Sequence, residues 1–414
     1  MDNESTDPHI KNKAKAILFA LMFANFFRNL GLSIIEIGLP DFVLSLAGTL
    51  TAYGIIIGVF SITQAIFQFP MARASDKVGR KVMIIIGTST YIMGTFLCYL
   101  AQNVIQLIIF RAIQGAGAYS SILQAIVADY YRKKHGKGMA FFSFSMTLGF
   151  FGGIIIGGYI SNYLGFRMIF IISTILGIFS LLMIIIFVKE QPNPNSTKNV
   201  DANDEFVIDR IKKLELKVLI KDRYFNIIVI LNTLRWGIFS GVYVYFIWLL
   251  QIHFDLDQIE ATYFLMILTI IFICSVISSG YLSDRFGAKK ILVYSQILII
   301  LTGLFIFVST DLLMFMIAAT FIGIGFGMFQ TSGYTLLSKH IEENHRELKG
   351  SAFGINNTLG FILGAFGPIT ICYLGEISTF LPFYLVSLLI LITLIISVKF
   401  IKEQYSSNTS IKNN

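Results

Sequence analysis

Four charged residues interrupt long apolar runs of this sequence: Arg28, Glu36, Arg111 and Arg235. Charge at bilayer depth is costly, and where it persists it usually serves a function. Arg28 and Arg235 correspond, because Asn25-Phe26-Phe27-Arg28 is matched by Asn232-Thr233-Leu234-Arg235. Each Arg lies about ten residues into its run, near the midplane at about 1.5 Å per residue. A guanidinium presents a planar fork that suits a carboxylate or phosphate. Together with Asn25 and Asn232, the two arginines form a candidate anion clamp. The alternative is that each ties helices together through carbonyls and the adjacent Asn. Glu36, one turn before Pro40, is the only acid well inside a run. A carboxylate shielded from water can take up and release a proton near neutral pH. Arg111 has a similar depth, so Glu36 and Arg111 are candidate proton-coupling residues. A rim carboxylate partly in water is the competing reading of Glu36.

Aromatic residues share the stripe of Arg235: Phe239, Tyr243 and Phe246 follow it at helical spacing. They are candidates for lining an apolar or aromatic substrate pocket, with ordinary packing as the alternative. No Ser/His/Asp set, metal-ligand cluster or phosphate-cradling loop stands out. Enzyme chemistry, a metal and a cofactor are therefore not expected. Cys98, Cys274 and Cys372 sit singly in apolar runs and read as packing residues.

These residues must be positioned by helices. The chain has 414 residues, 55% hydrophobic and 14% charged, where a soluble domain would carry about a quarter charged residues. Twelve apolar runs are long enough to cross a bilayer: about 16–38, 52–71, 82–101, 104–127, 139–160, 166–188, 224–250, 260–280, 290–308, 312–336, 351–374 and 380–400. An all-α integral membrane protein is expected. The polar start, Met1 to Asp7, has no cleavage site after the first run, so that run reads as a retained helix. Apart from Arg28, Arg111, Arg167 and Arg235, the 32 Lys and Arg fall at the termini and in every second loop. This asymmetry predicts cytoplasmic termini. It also accounts for the net charge of +8 without nucleic acid.

The chain is duplicated. Gly280-Tyr281-Leu282-Ser283-Asp284-Arg285-Phe286-Gly287-Ala288-Lys289-Lys290 lies between two apolar runs, and Ala72-Arg73-Ala74-Ser75-Asp76-Lys77-Val78-Gly79-Arg80-Lys81 echoes it half a chain earlier. Lys137-Gly138-Met139-Ala140-Phe141 recurs as Lys349-Gly350-Ser351-Ala352-Phe353. Such offsets mark an internal repeat. The organisation expected is a cytoplasmic N-terminus over 1–15, a six-helix bundle over 16–188 and a cytoplasmic linker over 189–223. A second bundle over 224–401 and a cytoplasmic tail over 402–414 complete it. Within the linker, Phe206 to Leu219 reads as an interfacial helix.

The repeated loop and Arg111-Ala112-Ile113-Gln114-Gly115-Ala116-Gly117 resemble the major facilitator superfamily from about Phe23 to Lys399. The second loop copy fits the pattern; the first departs at Ala72 and Ala74. The resemblance implies two pseudo-symmetric six-helix bundles, with helices 1, 4, 7 and 10 lining a central cavity. It also implies a monomer working in the lipid bilayer on a small-molecule substrate. Gly149, Gly153, Gly157 and Gly158 match the fifth-helix pattern of drug-efflux antiporters, although Ile154 stands where those carry Pro. Close helix packing explains the same glycines. Relatives in that branch carry a titrating carboxylate where Glu36 falls.

The loops suggest a gate. Asp76 is expected near Gly350-Ser351, Asp284 near Gly138-Met139, and Arg80 near Asp129, with Arg285 beside Asp284. A carboxylate at a helix N-terminus is stabilised by its free N–H groups and dipole. The function expected is proton-coupled efflux of a small organic compound by alternating access. The rival is an anion or organic-phosphate exchanger using Arg28 and Arg235; a non-transporting sensor is a third class.

Overall fold

Helix boundaries are set by local chemistry that the sequence carries. In the computed structural model, which describes residues 8–119, 122–123, 126, 135–188, 217–306, 311–345 and 348–401, all long elements are helices. They are α1 (Pro8–Ser45), α2 (Leu50–Val78), α3 (Arg80–Leu100), α4 (Val104–Ala116), α5 (His135–Leu164) and α6 (Met168–Phe187). The second series is α7 (Arg223–Trp248), α8 (Gln258–Phe286), α9 (Ala288–Ile306), α10 (Leu312–Asn344), α11 (Lys349–Ile377) and α12 (Leu381–Phe400). All but the shorter α4 are long and apolar enough to cross a membrane.

Side chains satisfy the free N–H groups at helix starts. Thr49 accepts from Ala52 N, Asn103 from Gln106 N, and Asp311 from Met314 N. Asp257 and Glu260 form a reciprocal capping box at α8. Asp222 caps α7 by accepting from Tyr224 N and Phe225 N. Burial works to raise its carboxyl, but hydrogen bonds from His345, the Phe225 N–H and His340 outweigh burial and hold it at about 2.

The repeated loop places a glycine at the same corner in each half. Gly79 (φ 114°) turns α2 into α3, and Gly287 (φ 96°) turns α8 into α9. Their N–H groups donate to Ser75 O and Ser283 O respectively. An L side chain at either position would be strained.

Two compact units emerge. Among the described residues, one comprises 8–188 with 250–263, and the other comprises 217–249 with 264–401. In the first, α1 packs on α5 and α6, while α3 packs on α4 and α6; in the second, α7 packs on α11 and α12, while α9 packs on α10 and α12. The neighbours repeat at an offset of six helices, so the duplication in sequence is a duplication in architecture. Residues 250–263 belong with the first unit. In that segment Gln251 donates to Ile37 O, and Gln258 donates to Asp41.

Glycines set the closest helix contacts. A Cβ on Gly153 would lie 2.5 Å from Leu30 O, and one on Gly157 would lie 2.9 Å from Ile34 Cα. The fifth-helix stripe therefore lets α5 lie directly against the α1 backbone. Gly237 and Gly367 do the same for α7 and α11.

Three expectations need correction. The fourth run does not continue as one helix to residue 127: α4 stops at Ala116, Gly117 adopts φ −72°, ψ 46°, residues 117–119 are not helical, and Ile122, Leu123 and Ile126 are helical again. Gly117 is pressed on α3, where its Cβ would lie 2.6 Å from Gly87 O and Tyr91 N. The seventh run ends in a π-helical turn, Leu249–His253. The tenth extends well past residue 336, to Asn344. Most of the expected interfacial helix lies outside the described residues, where helix is seen over 217–221.

Candidate functional site

In the first unit, buried charge collects around α1 and α4. Arg111 is 3% exposed. Its Nη1 donates to Gln114 Oε1 at 2.7 Å, and Gln114 Nε2 donates to Thr95 Oγ1 at 2.7 Å. Thr95 in turn donates to Tyr91 O. The guanidinium also lies over the Phe60 ring, 4.8 Å from its centroid. This chain of contacts fixes Arg111 against α2 and α3.

Glu36 lies near enough for the charge of Arg111 to act on it. The two form no ion pair within 4.0 Å. Glu36 Oε2 is shut off from solvent and accepts no hydrogen bond among the described residues. The coupling candidates are thus neighbours without being bonded partners.

Arg28 is 7% exposed and lies over the Tyr119 ring, 5.2 Å from its centroid. Tyr119 belongs to the interruption after α4, so the break supplies the aromatic face that Arg28 uses. Asn25 is engaged otherwise. Its amide donates to Phe142 O at 3.1 Å and to Ser145 Oγ at 2.9 Å, while Oδ1 accepts from Asn29. Its described contacts join α1 to α5.

The second unit repeats the theme with different partners. Arg235 is 1% exposed, and its Nη1 donates to Gln330 Oε1 at 3.1 Å. Asn232 reaches Gly333 O and Asn356 Oδ1. Phe239 stacks on Phe272 and meets Phe326 edge-on. Tyr243 stacks on Phe239. Phe246 packs with Phe315 and Phe383, facing α10 and α12 rather than Phe239. Arg28, Arg111 and Arg235 form no ion pair with a described carboxylate.

Of the gate residues, Asp129 lies outside the described residues, as does the side chain of Asp76, whose backbone is in the last turn of α2. Asp284 and Arg285 are exposed at the end of α8, and Arg80 begins α3. Sequence reasoning does not identify Gln114 and Gln330, the partners of Arg111 and Arg235, or Thr95, which accepts from Gln114. The Arg111-x-x-Gln114 spacing is one helical turn and would have revealed the first; nothing local points to Gln330.

The described residues form duplicated units of membrane-length helices that bury hydrogen-bonded charge. A family model for the Major Facilitator Superfamily matches residues 21–368 and 275–412, and the chain belongs to that superfamily. Multidrug resistance protein 1 of Bacillus subtilis is 26% identical over 399 residues, 94% of this chain and 96% of that protein. An uncharacterized MFS-type transporter of Methanocaldococcus jannaschii is 27% identical over 362 residues, 85% and 90% of the two chains. Among solved structures, a D-xylose-proton symporter superposes with a TM-score of 0.74 at 16% identity, covering 94% of this chain and 98% of that one. The protein is a multi-pass membrane transporter, not an enzyme.

Proposed function

We propose that the protein exports a small, largely apolar organic compound in exchange for protons, by alternating access, with both termini in the cytoplasm. The observation that carries the reading is the Glu36 carboxylate, held in α1 without a hydrogen-bond donor at Oε2 and within the electrostatic reach of Arg111. A proton on Glu36 relieves its isolation; loss of that proton strengthens its attraction to Arg111. Substrate and proton can thereby bias one equilibrium in opposite directions. Likeness to a protein named for multidrug resistance supports the choice of substrate class. The placing of Lys and Arg supports the orientation.

A second reading, organic-anion exchange, is favoured by one observation: three buried arginines without a described carboxylate partner. The experiment is transport by the purified protein in proteoliposomes under imposed pH gradients, against cationic, neutral and anionic compounds. Uptake of cations or neutral compounds driven by protons moving the other way supports export by exchange. Anion exchange independent of the gradient replaces it with the second reading.

A further inference from the structure

At the N-terminal end of α7 and the C-terminal end of α10, three side chains converge that the transport reading does not use. Asp222 Oδ2 lies 2.7 Å from His340 Nε2 and 2.8 Å from His345 Nε2. One ligand atom from each of the three lies within 4.8 Å of the others. From this geometry we propose that Asp222, His340 and His345 bind a divalent transition-metal ion, with Zn²⁺ the best fit, and that the ion fastens α7 to α10.

The donor set selects the ion. Two imidazole nitrogens and one carboxylate oxygen suit Zn²⁺ and its neighbours, whereas Ca²⁺ and Mg²⁺ prefer oxygen throughout. Three protein ligands leave a fourth tetrahedral position for water. Donors about 2.0–2.1 Å from a tetrahedral ion stand about 3.3 Å apart. The two Asp222–imidazole spacings are about half an ångström shorter than this, and all three ligand atoms lie within 4.8 Å of one another, so a small rearrangement of the side chains admits the ion.

The ligands are already held in place. Asp222 Oδ1 is fixed by the N–H groups of Tyr224 and Phe225, which leaves Oδ2 for the imidazoles. His340 lies just before the last turn of α10, and His345 is its C-cap, with its N–H donating to Ile341 O at 2.8 Å. The side chains are 19%, 9% and 14% exposed for Asp222, His340 and His345, sheltered yet reachable. His340 Nδ1 lies 3.2 Å from the Asn344 amide. With the amide nitrogen facing it, Nδ1 accepts and the ring proton sits on Nε2, donating to Asp222. On binding the metal, that proton moves to Nδ1, and Asn344 turned about its amide axis presents Oδ1 to it. Supporting contacts of this type orient metal-bound imidazoles.

The test uses the full-length protein in detergent, stripped of metal and titrated with Zn²⁺ against a chromophoric chelator. Unmodified protein should bind one equivalent that His340→Gln and His345→Gln each lose or weaken by about tenfold or more. His253→Gln, outside the cluster, should retain it. Zn²⁺ should also raise the Tm of the unmodified protein and not that of the two variants. Either variant, if folded, suffices. The proposal is overturned if the unmodified protein binds no Zn²⁺, or if folded His340→Gln or His345→Gln binds it unchanged. It stands or falls independently of proton coupling.

Discussion

Lys81 Nζ donates to the carbonyl oxygen of Ile185 at 2.9 Å, and Lys289 Nζ donates to that of Val398 at 3.4 Å. Ile185 and Val398 lie in the last turns of α6 and α12, where carbonyls lack helical partners and the dipole is negative. The basic end of the repeated loop therefore fastens the third helix of each unit to the sixth. Replacing both lysines with Met, which keeps the apolar stem, should lower stability by about 0.3–1 kcal/mol per site. Thermal unfolding in detergent reads it, and an unshifted Tm in the double variant rejects it.

Gly152 and Gly153 offer a paired steric test. A Cβ at Gly153 meets backbone, Leu30 O at 2.5 Å, whereas one at Gly152 meets only Leu30 Cδ1 at 3.0 Å, which can move aside. Gly153→Ala should cost about 1–3 kcal/mol and Gly152→Ala far less. Equal losses in Tm would mean that α5 does not lie this close to α1.

For proton coupling, Glu36→Gln should abolish accumulation driven by a pH gradient while substrate exchange remains measurable. Gln keeps the size of the side chain but cannot carry the proton. Full gradient-driven transport by this variant would remove Glu36 from the mechanism.

The clamp makes a different demand. Arg28→Lys retains charge but loses the planar face that lies over Tyr119, and Arg235→Lys loses the fork that reaches Gln330. If substrates are anionic, each should impair transport at least tenfold. Normal transport by both Arg28→Ala and Arg235→Ala would leave the arginines a purely structural part.

The proposed gate is read by distance. If the two loops close the cytoplasmic side, Asp76→Asn and Asp284→Asn should each shift the distribution between spin labels placed on that side toward longer distances. Unchanged distributions in both would discard that role, and the expected pairing of Arg80 with Asp129 and the part given to Arg285 would lose their rationale alongside it.

The sequence makes the duplicated architecture plain, because a charged loop with fixed Asp, Gly and Lys cannot recur between apolar runs by composition alone. It also places Gly79 and Gly287 at corners. It does not reveal the end of α4, since Gly117 is one glycine among many and the apolar run continues to Ile126. The Asp222–His340–His345 cluster is invisible for another reason: 118 residues separate Asp222 from His340. Arg28 shows the limit at the site. Its position follows from hydropathy, but its aromatic partner depends on an interruption that hydropathy does not mark.

That interruption gives the run a geometry in which a hinge motion would have leverage. Val104–Ala116 is a helical rod, and the non-helical Gly117–Tyr119 at its end is the pivot about which it would turn. Thirteen residues make a rod about 20 Å long, so a 10° swing at the pivot carries its far end by about 3 Å. Arg111 rides on the rod, while Arg28 leans on Tyr119 at the pivot. A swing would therefore move Arg111 relative to Glu36 with little disturbance of Arg28, converting a few torsions at one glycine into a change in the field at a carboxylate.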